Sequence, residues 1–256
     1  MLSSKTIKEV NKLQQKKYRC LYKQFVVEGI KGVLEAVKRS PQSVCYLIIY
    51  KKIKNDPVIK EIMEHARESS INVQYCAEKD INKIKNESTF SGIMAVIKQS
   101  NYSIKDLLKA SNIILCLDSL KDPGNLGVIV RTMNWFGLKS LVLSKNCVDL
   151  YNPKTVRSTM GSIFSVKVLE NVNLPEILKQ FKEKNGYKLC GLCLNGLNFS
   201  YLNKQEKQVL IFGSESHGFS KEVEKMLDYR YTIKGRGGAE SLNVGISAAI
   251  TMSRIN

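Results

Sequence analysis

Histidine, acidic residues and long apolar runs are scarce in this chain of 256 residues. Only two histidines occur, His65 and His217, and they lie far apart in the sequence. No run approaches the roughly 18 apolar residues that a membrane-spanning helix needs. The N-terminal stretch also lacks the apolar core of a secretory signal. We therefore expect a cytoplasmic protein with no membrane partner.

The seven cysteines are odd in number and mostly lie in apolar runs. In the cytoplasm they are expected to stay reduced. Cys190 and Cys193 form a CxxC pair, a spacing found in metal and redox sites. Residues three apart in a strand point to opposite faces, however, and no second Cys/His pair lies near them. The sequence therefore predicts no metal site.

Positive charge dominates the composition, with 40 basic against 23 acidic residues and a formal net charge of +17. An excess of this size favours a polyanionic partner such as a nucleic acid, with an acidic membrane surface as the rival. Residues 1–60 hold 14 basic and 4 acidic side chains. The N-terminal end is therefore the part expected to contact a nucleic-acid backbone.

Hydrophobic periodicity predicts an α/β protein in two parts. The first is a small unit at residues 1–98 in which helices and strands alternate, followed by a polar linker at 99–110. The second, 111–256, has strands near 112–117, 139–143, 164–168, 187–193, 208–212 and 230–233. Helices are expected near 125–136, 153–160, 173–184, 219–227 and 242–253. This order predicts a doubly wound, mainly parallel sheet with its ligand at the carboxyl ends of the strands.

Three segments place polar residues at such strand ends. DPGNLGVIVRT (122–132) predicts a helix with Asn125 as N-cap, an apolar stripe from Leu126 to Met133 and Gly137 after its end. Arg131 lies off that stripe. LIFGSESHG (210–218) is a buried strand that breaks at Gly213, and ESLNVGISAAI (240–250) precedes a helix that is apolar or small nearly all round.

In this order, the three segments resemble the motifs of the SpoU (TrmH-type) family of RNA ribose 2′-O-methyltransferases, within the SPOUT class. The stretch YRCLYKQFVVEGIKGVLEA and the later STFSGIMAVI resemble, more weakly, the start and end of that family's L30e-like substrate-binding domain. The resemblance covers roughly residues 5–256. It implies a trefoil knot in the C-terminal domain, a homodimer, and S-adenosyl-L-methionine as cofactor.

The resemblance also assigns site residues. Cofactor contacts fall on Gly213, Ile233 and Leu242, and the segment Leu192 to Gly196 follows a strand and could line the same pocket. The catalytic set that it implies is Asn125, Arg131, Glu215, Ser241 and Asn243. Amide and hydroxyl groups can orient a ribose or phosphate, and a carboxylate can accept a proton.

The family places its arginine, here Arg131, at the reacting hydroxyl, in some accounts as a general base. A guanidinium is effectively never deprotonated in proteins. We therefore expect Arg131 to stay charged, to bind the target phosphate or stabilise the emerging alkoxide, and the proton to leave through phosphate or water.

The chain departs from the family pattern before the third motif. Where the family usually continues Ile-Pro-Met, this chain reads Ile233-Lys234-Gly235, followed by Arg236-Gly237-Gly238. The proline is absent, and two cations replace neutral residues. We therefore expect a cofactor loop whose geometry differs from the family's and which makes an additional contact with the RNA backbone.

Within the family, ribosomal RNA, and 23S rRNA in particular, is favoured over transfer RNA, and a thiostrepton-resistance-type enzyme is a variant of that reading. A non-catalytic RNA-binding protein is the alternative from another class. A nucleotide-dependent oxidoreductase is a third possibility, but no GxGxxG follows any strand.

Overall fold

The computed structural model describes residues 2–84, 92–202, 206–214 and 217–255. Its helices are α1 (Ser4–Leu13), α2 (Lys16–Tyr22), α3 (Ile30–Arg39), α4 (Pro57–Glu68), α5 (Glu78–Ile84), α6 (Ile104–Ala110), α7 (Pro123–Trp135), α8 (Pro153–Ser158), α9 (Leu174–Lys179), α10 (Lys221–Met226) and α11 (Val244–Ile255). Its strands are β1 (Gln24–Glu28), β2 (Val44–Tyr50), β3 (Asn72–Cys76), β4 (Ile93–Lys98), β5 (Ile113–Leu117), β6 (Ser140–Ser144), β7 (Lys167–Val172), β8 (Lys188–Asn198), β9 (Gln208–Phe212) and β10 (Tyr229–Thr232).

The chain divides into two compact units. The first comprises residues 1–100 and 151–164, and the second comprises residues 101–150 and 165–256. In the described part of the chain, no helix is both long enough and apolar enough to cross a membrane.

The first unit contains a four-stranded sheet in the order β1-β4-β2-β3. The β2–β3 pair is parallel, and β4 runs antiparallel to both β1 and β2. Residues from the later segment complete its packing, since the Phe25 and Tyr151 rings lie 4.6 Å apart. The Tyr151 hydroxyl accepts a hydrogen bond from the Ser100 amide at 3.1 Å. This smaller α/β unit confirms the N-terminal part of the predicted fold.

The second unit contains a six-stranded sheet in the order β10-β8-β9-β5-β6-β7. Every neighbouring pair in it is parallel. Strands buried on both faces need continuous apolar runs, and all five residues of β9 are buried. The predicted mainly parallel, doubly wound sheet is therefore confirmed.

Two helices were not expected from the sequence. Residues 78–84, in a stretch expected to be merely polar, form α5. The helix α6 forms within the segment predicted as a linker, and a capping box fixes its start. The Asp106 carboxylate accepts hydrogen bonds from the Ser103 amide at 2.8 Å and from the Ser103 hydroxyl at 2.6 Å. Leu107 of this helix is fully buried in the second unit. The predicted domain boundaries themselves stay a prediction.

Candidate functional site

The two central strands of the second unit, β5 and β9, end side by side. The chain leaves β5 towards β6 and leaves β9 towards β10, on opposite sides of this pair. Such a reversal opens a crevice outside the carboxyl ends of the strands, where ligands of doubly wound sheets bind. All three sequence segments begin at or near this edge.

Asp118 joins the loop that follows β5 to the loop that follows β9. It follows β5 directly and is 4% exposed. Its Oδ2 accepts a hydrogen bond at 2.9 Å from the backbone amide of Ser220, which lies 102 residues later. No role for Asp118 was expected from the sequence. The signal that could have found it was an acidic residue placed immediately after a buried strand.

A cavity of about 560 Å³ opens at the carboxyl ends of β8 and β9. This volume lies within the range of roughly 300–1,000 Å³ that small-molecule sites occupy. Its lining residues are Leu192, Cys193, Leu194, Asn195, Phe212, Gly213, Ser214, His217, Gly218, Phe219, Glu224, Arg230, Tyr231, Thr232, Ile233, Ser241, Leu242, Val244 and Ser247. The second and third sequence segments therefore line one cavity.

Four of the five predicted cofactor contacts line this cavity: Leu192, Gly213, Ile233 and Leu242. The fifth, Gly196, lies beside the lining residue Asn195. Ser241, predicted as catalytic, also lines the cavity. These positions agree with the expected site, and the roles of the residues stay predictions.

The strand β8 makes an excursion that forms one wall of the cavity. Its pairing with β10 runs from Arg230↔Gly191 directly to Tyr231↔Leu197, so residues 192–196 have no partner on β10. The Thr232 hydroxyl donates a hydrogen bond to the Leu194 carbonyl at 2.9 Å and fixes the excursion.

Glycine is required at two of these positions by contacts within the chain. A Cβ on Gly213 would lie 2.3 Å from the Gly218 carbonyl carbon. Ser214 and Gly218 exchange backbone hydrogen bonds of 2.9 and 3.0 Å, which close this loop tightly. A Cβ on Gly196 would lie 2.5 Å from the Arg230 carbonyl oxygen. Closure of this loop therefore excludes a side chain at position 213.

Helix α7 begins earlier than the sequence indicated. Asp122, and not Asn125, is the N-cap, and its carboxylate accepts a hydrogen bond from the Asn125 amide at 2.7 Å. Pro123 then occupies the first helical turn, where its missing N–H has no cost. The prediction of Asn125 as N-cap is therefore wrong. The apolar stripe is confirmed, since Leu126, Ile129, Val130 and Met133 are all fully buried. Gly137, with φ +71°, follows the helix as expected.

Because Asp122 caps the helix, the Asn125 side chain can hydrogen-bond to the third segment. Its Oδ1 accepts a hydrogen bond from Nδ2 of Asn243 at 3.0 Å. Asn243 also starts α11, because its Oδ1 accepts from the Gly245 and Ile246 amides at 2.8 and 3.3 Å. The structure therefore brings two of the predicted catalytic residues into contact. Glu215 lies outside the described residues.

Arg131 is exposed on α7 and is not among the residues that line the cavity. Its guanidinium makes no hydrogen bond or ion pair with any residue in the described ranges. Val128 and Trp135, one turn before and after it, are 43% and 83% exposed. Arg131 thus lies on an apolar, solvent-facing surface of α7.

The two cysteines of the CxxC pair lie on β8, and burial is the main cause of a raised thiol pKa at each. The pKa of Cys190 is raised to about 12, and the pKa of Cys193 is also raised. A raised pKa keeps both side chains as neutral, weakly reactive thiols near pH 7. Among the described residues, no group of three or more His, Cys, Asp or Glu side chains could hold a metal.

The comparisons with known proteins agree with this geometry. Residues 112–253 match the model of the SpoU rRNA methylase family. Residues 26–103 match the model for RNA 2′-O ribose methyltransferase substrate binding. The chain belongs to the SpoU rRNA methylase family.

Individual relatives match over nearly the whole chain. The 23S rRNA (guanosine(2553)-2′-O)-methyltransferase RlmP of Bacillus subtilis is 31% identical over 245 residues, covering 95% of this chain and 93% of that protein. A structure of a TrmH-family protein from Porphyromonas gingivalis is 30% identical, with a TM-score of 0.83, over 100% of this chain and 98% of that one. An AdoMet-bound rRNA methyltransferase from Sinorhizobium meliloti, 24% identical, has the same fold with a TM-score of 0.86, over 100% of this chain and 95% of that one.

The family resemblance predicted from the three segments is therefore confirmed, and so is the predicted activity, RNA ribose 2′-O-methylation. The predicted cofactor, S-adenosylmethionine, is confirmed by membership in this methylase family. RNA as the partner is likewise confirmed.

Proposed function

We propose that this protein methylates a ribose 2′-hydroxyl in 23S ribosomal RNA, with S-adenosylmethionine as the methyl donor. The observation that carries the proposal is the convergence of the three segments at one edge of the sheet. The second and third line a common cavity, and the first is joined to the third through Asn125 and Asn243. The similarity to RlmP supports the choice of 23S rRNA.

The cavity fits the cofactor by its chemistry. Apolar side chains of Leu192, Ile233 and Leu242 offer surface to an adenine ring, and the loop closed by Gly213 offers backbone groups. Gly196 contributes by allowing β8 to approach the Arg230 carbonyl, which shapes the excursion. When bound, S-adenosylmethionine supplies an electrophilic methyl group on a sulfonium.

The chain's own residues orient the ribose and stabilise charge. Asn125, Asn243 and Ser241 hydrogen-bond to the sugar or its phosphate, and positioning of this kind accounts for much of the rate of such a displacement. Arg131 stays a guanidinium that binds the phosphate or stabilises the developing alkoxide. The hydroxyl proton leaves through phosphate or water, from which the carboxylate of Glu215 can accept it.

A homodimer is part of this proposal. The exposed apolar residues Val128 and Trp135 on α7, and Ile246 on the packed neighbour α11, form a surface that a second copy would cover. Arg131 lies within this surface. A partner subunit would therefore bury the surroundings of Arg131 and strengthen its electrostatic interactions.

Four further expectations remain proposals. The C-terminal segment is threaded into a trefoil knot, residues 1–98 form the RNA-binding domain, and the protein is cytoplasmic with no metal ion. The basic surplus of residues 1–60 supports the second of these.

The test is methyl transfer from labelled S-adenosylmethionine to total bacterial RNA that lacks this modification, followed by size fractionation and nuclease mapping. We expect label in 23S rRNA as alkali-resistant ribose methylation. Arg131→Ala should lower the rate by about 100-fold or more, as loss of a charge-stabilising group does. Lys139→Ala, which removes an exposed cation before β6 at the opposite edge of the sheet, should leave the rate unchanged.

The conservative variant separates two roles of the arginine. Arg131→Lys keeps the charge but loses the planar fork that binds phosphate through two hydrogen bonds. We expect its rate to fall by about tenfold, and near-full activity would contradict bidentate binding. Label in transfer RNA alone would replace 23S rRNA as the substrate. Absence of both transfer and cofactor binding would favour a non-catalytic RNA-binding protein.

A further inference from the structure

A pair of tyrosines stands on the outer face of α2 in the first unit. Tyr18 and Tyr22 lie one helical turn apart, with ring centroids separated by 6.0 Å and planes inclined by 26°. Tyr22 is 39% exposed, and the adjacent Leu21 is 65% exposed. We call Tyr18, Leu21 and Tyr22 the α2 platform. An exposed aromatic and aliphatic cluster of this kind contributes little to a core and is typical of a binding surface.

Cations surround the platform without acidic neighbours in the sequence. The ammonium groups of Lys12 and Lys17 lie 5.3 and 5.8 Å from the centroid of the Tyr18 ring. Lys16 begins the helix, Lys23 follows its last residue, and both are exposed. No Asp or Glu occurs between residues 10 and 27. The surface therefore combines flat π-faces with concentrated positive charge.

A buried arginine connects α2 to the end of α1. Arg19 is 3% exposed, and its Nη1 donates hydrogen bonds to the carbonyls of Leu13 and Gln14 at 3.0 and 2.7 Å. These carbonyls belong to the end of α1, so Arg19 satisfies groups that a helix terminus leaves unpaired. Arg19 is thus held inside the unit, whereas Tyr18 is half-buried and Tyr22 is exposed.

We propose that the α2 platform stacks an unpaired base of the RNA substrate, with the surrounding lysines contacting the phosphates on either side of it. Aromatic faces next to basic side chains bind single-stranded nucleic acid in this way, since every base offers a π-face and every linkage a phosphate. A base within an A-form duplex is stacked on its neighbours and cannot lie on a tyrosine ring. The substrate therefore contains a loop or bulge that this unit recognises. The inference rests on the proposed function only in taking RNA as the ligand.

The experiment measures the affinity of the full-length protein, without methyl donor, for two fluorescein-labelled RNAs. One is a hairpin with an unpaired loop, and the other is a fully paired duplex of the same length. Tyr22→Leu removes the π-face and keeps apolar volume, while Tyr22→Phe keeps the ring. Tyr229→Leu is the matched control, because Tyr229 is also 39% exposed and also pairs with a tyrosine, at 6.1 Å from Tyr231.

We expect Tyr22→Leu to weaken binding of the hairpin about tenfold, the loss expected for one stacked base, with little change for the duplex. The affinities of Tyr22→Phe and Tyr229→Leu for both RNAs should stay within about twofold of that of the unaltered chain, a much smaller change than the loss of a stacked base. Lys16→Ala/Lys17→Ala should reduce the salt slope of hairpin binding by about 0.7 for each phosphate that the lysines no longer neutralise. Unaltered thermal unfolding of Tyr22→Leu would show that the unit remains folded.

Unchanged hairpin affinity in Tyr22→Leu, or an equal loss for hairpin and duplex, would overturn the proposal and leave the platform to a protein partner or to solvent. The outcome is independent of catalysis. A protein that transfers methyl groups but binds hairpins without Tyr22 would retain the proposed function and lose the platform. A protein that needs Tyr22 to bind hairpins but transfers no methyl group would retain the platform and lose the proposed function.

Discussion

At the scale of single residues, Asp122 takes the capping role at the start of α7 that the sequence suggested for Asn125. Asn125 is a good N-cap residue by type, but so is Asp122, and capping preference alone cannot choose between positions three apart. The structure gives the cap to Asp122 and leaves Asn125 to accept from Asn243. A contact spanning 118 residues has no local signature in the sequence, so only the folded chain reveals it.

This division of roles predicts different losses of stability. Asp122→Ala removes the cap and should lower the free energy of unfolding by about 1 kcal/mol. Asn125→Ala removes the exposed hydrogen bond from Asn243 and should cost about 0.5 kcal/mol. Urea unfolding with an unchanged m-value measures both. In double variants with Asn243→Ala, coupling should appear for Asn125 and be absent for Asp122. A larger loss for Asn125→Ala than for Asp122→Ala would return the cap to Asn125.

At the scale of elements, the strands and the long helices of the second unit were predicted because each has a clear apolar pattern. The short helix α5 was missed because polar residues dominate it. The short helix α6 was missed because its apolar residues were interpreted as part of a polar linker. The sequence did contain a signal for α6, since Ser103 and Asp106 have the spacing of a capping box. The loop between β10 and α11 was identified by its composition, but its relation to the cavity required the structure.

We expect that loop to contact RNA phosphates through its two cations. Its ends, Ile233 and Ser241, line the cavity, while Lys234 and Arg236 are exposed between them. Lys234→Ala/Arg236→Ala should weaken RNA binding and lower its salt slope by about 1.4, at about 0.7 for each phosphate contact with a single strand. The dissociation constant for S-adenosylmethionine, measured by calorimetry, should change by less than about twofold, because an exposed charge contributes little energy to a neighbouring site.

Two lysines on α6 serve as the control for this loop. Lys105 and Lys109 are exposed, and α6 packs at the beginning of β6, where the Ser140 hydroxyl donates to the Leu107 carbonyl at 2.8 Å. This is the edge opposite the cavity. Lys105→Ala/Lys109→Ala removes the same charge there and should leave the RNA salt slope unchanged. Equal reductions in both double variants would indicate a general effect of net charge and not a contact by the loop.

At the scale of the whole molecule, the sequence predicted the class of fold but not the order of its strands. Buried parallel strands are apolar on both faces, so their composition does not indicate which neighbours they pair with. The insertion of β9 between β8 and β5 places Asp118 and Gly213 at adjacent strand ends. Likewise, the sequence put residues 151–164 with the C-terminal part, whereas they pack in the first unit, through Tyr151 on Phe25 and Gly161 against Glu35.

The proposed dimer gives the last prediction, because Trp135 is the chain's only tryptophan and is 83% exposed in one subunit. If a second copy covers the face of α7, the fluorescence of Trp135 should be blue-shifted at micromolar protein concentration and should move to longer wavelength on dilution.

Val128→Glu places a charge where the partner would bury it. Because burying an unpaired charge is costly, this variant should be a monomer when measured by sedimentation. Loss of the dimer should lower the rate of methyl transfer. The cofactor cavity is built within one unit, so the variant should still bind S-adenosylmethionine. Tyr201→Glu, a change at a 73% exposed position elsewhere in the same unit, should remain dimeric. A monomer at all concentrations, fully active, would contradict the dimer and leave Arg131 to act from an open surface.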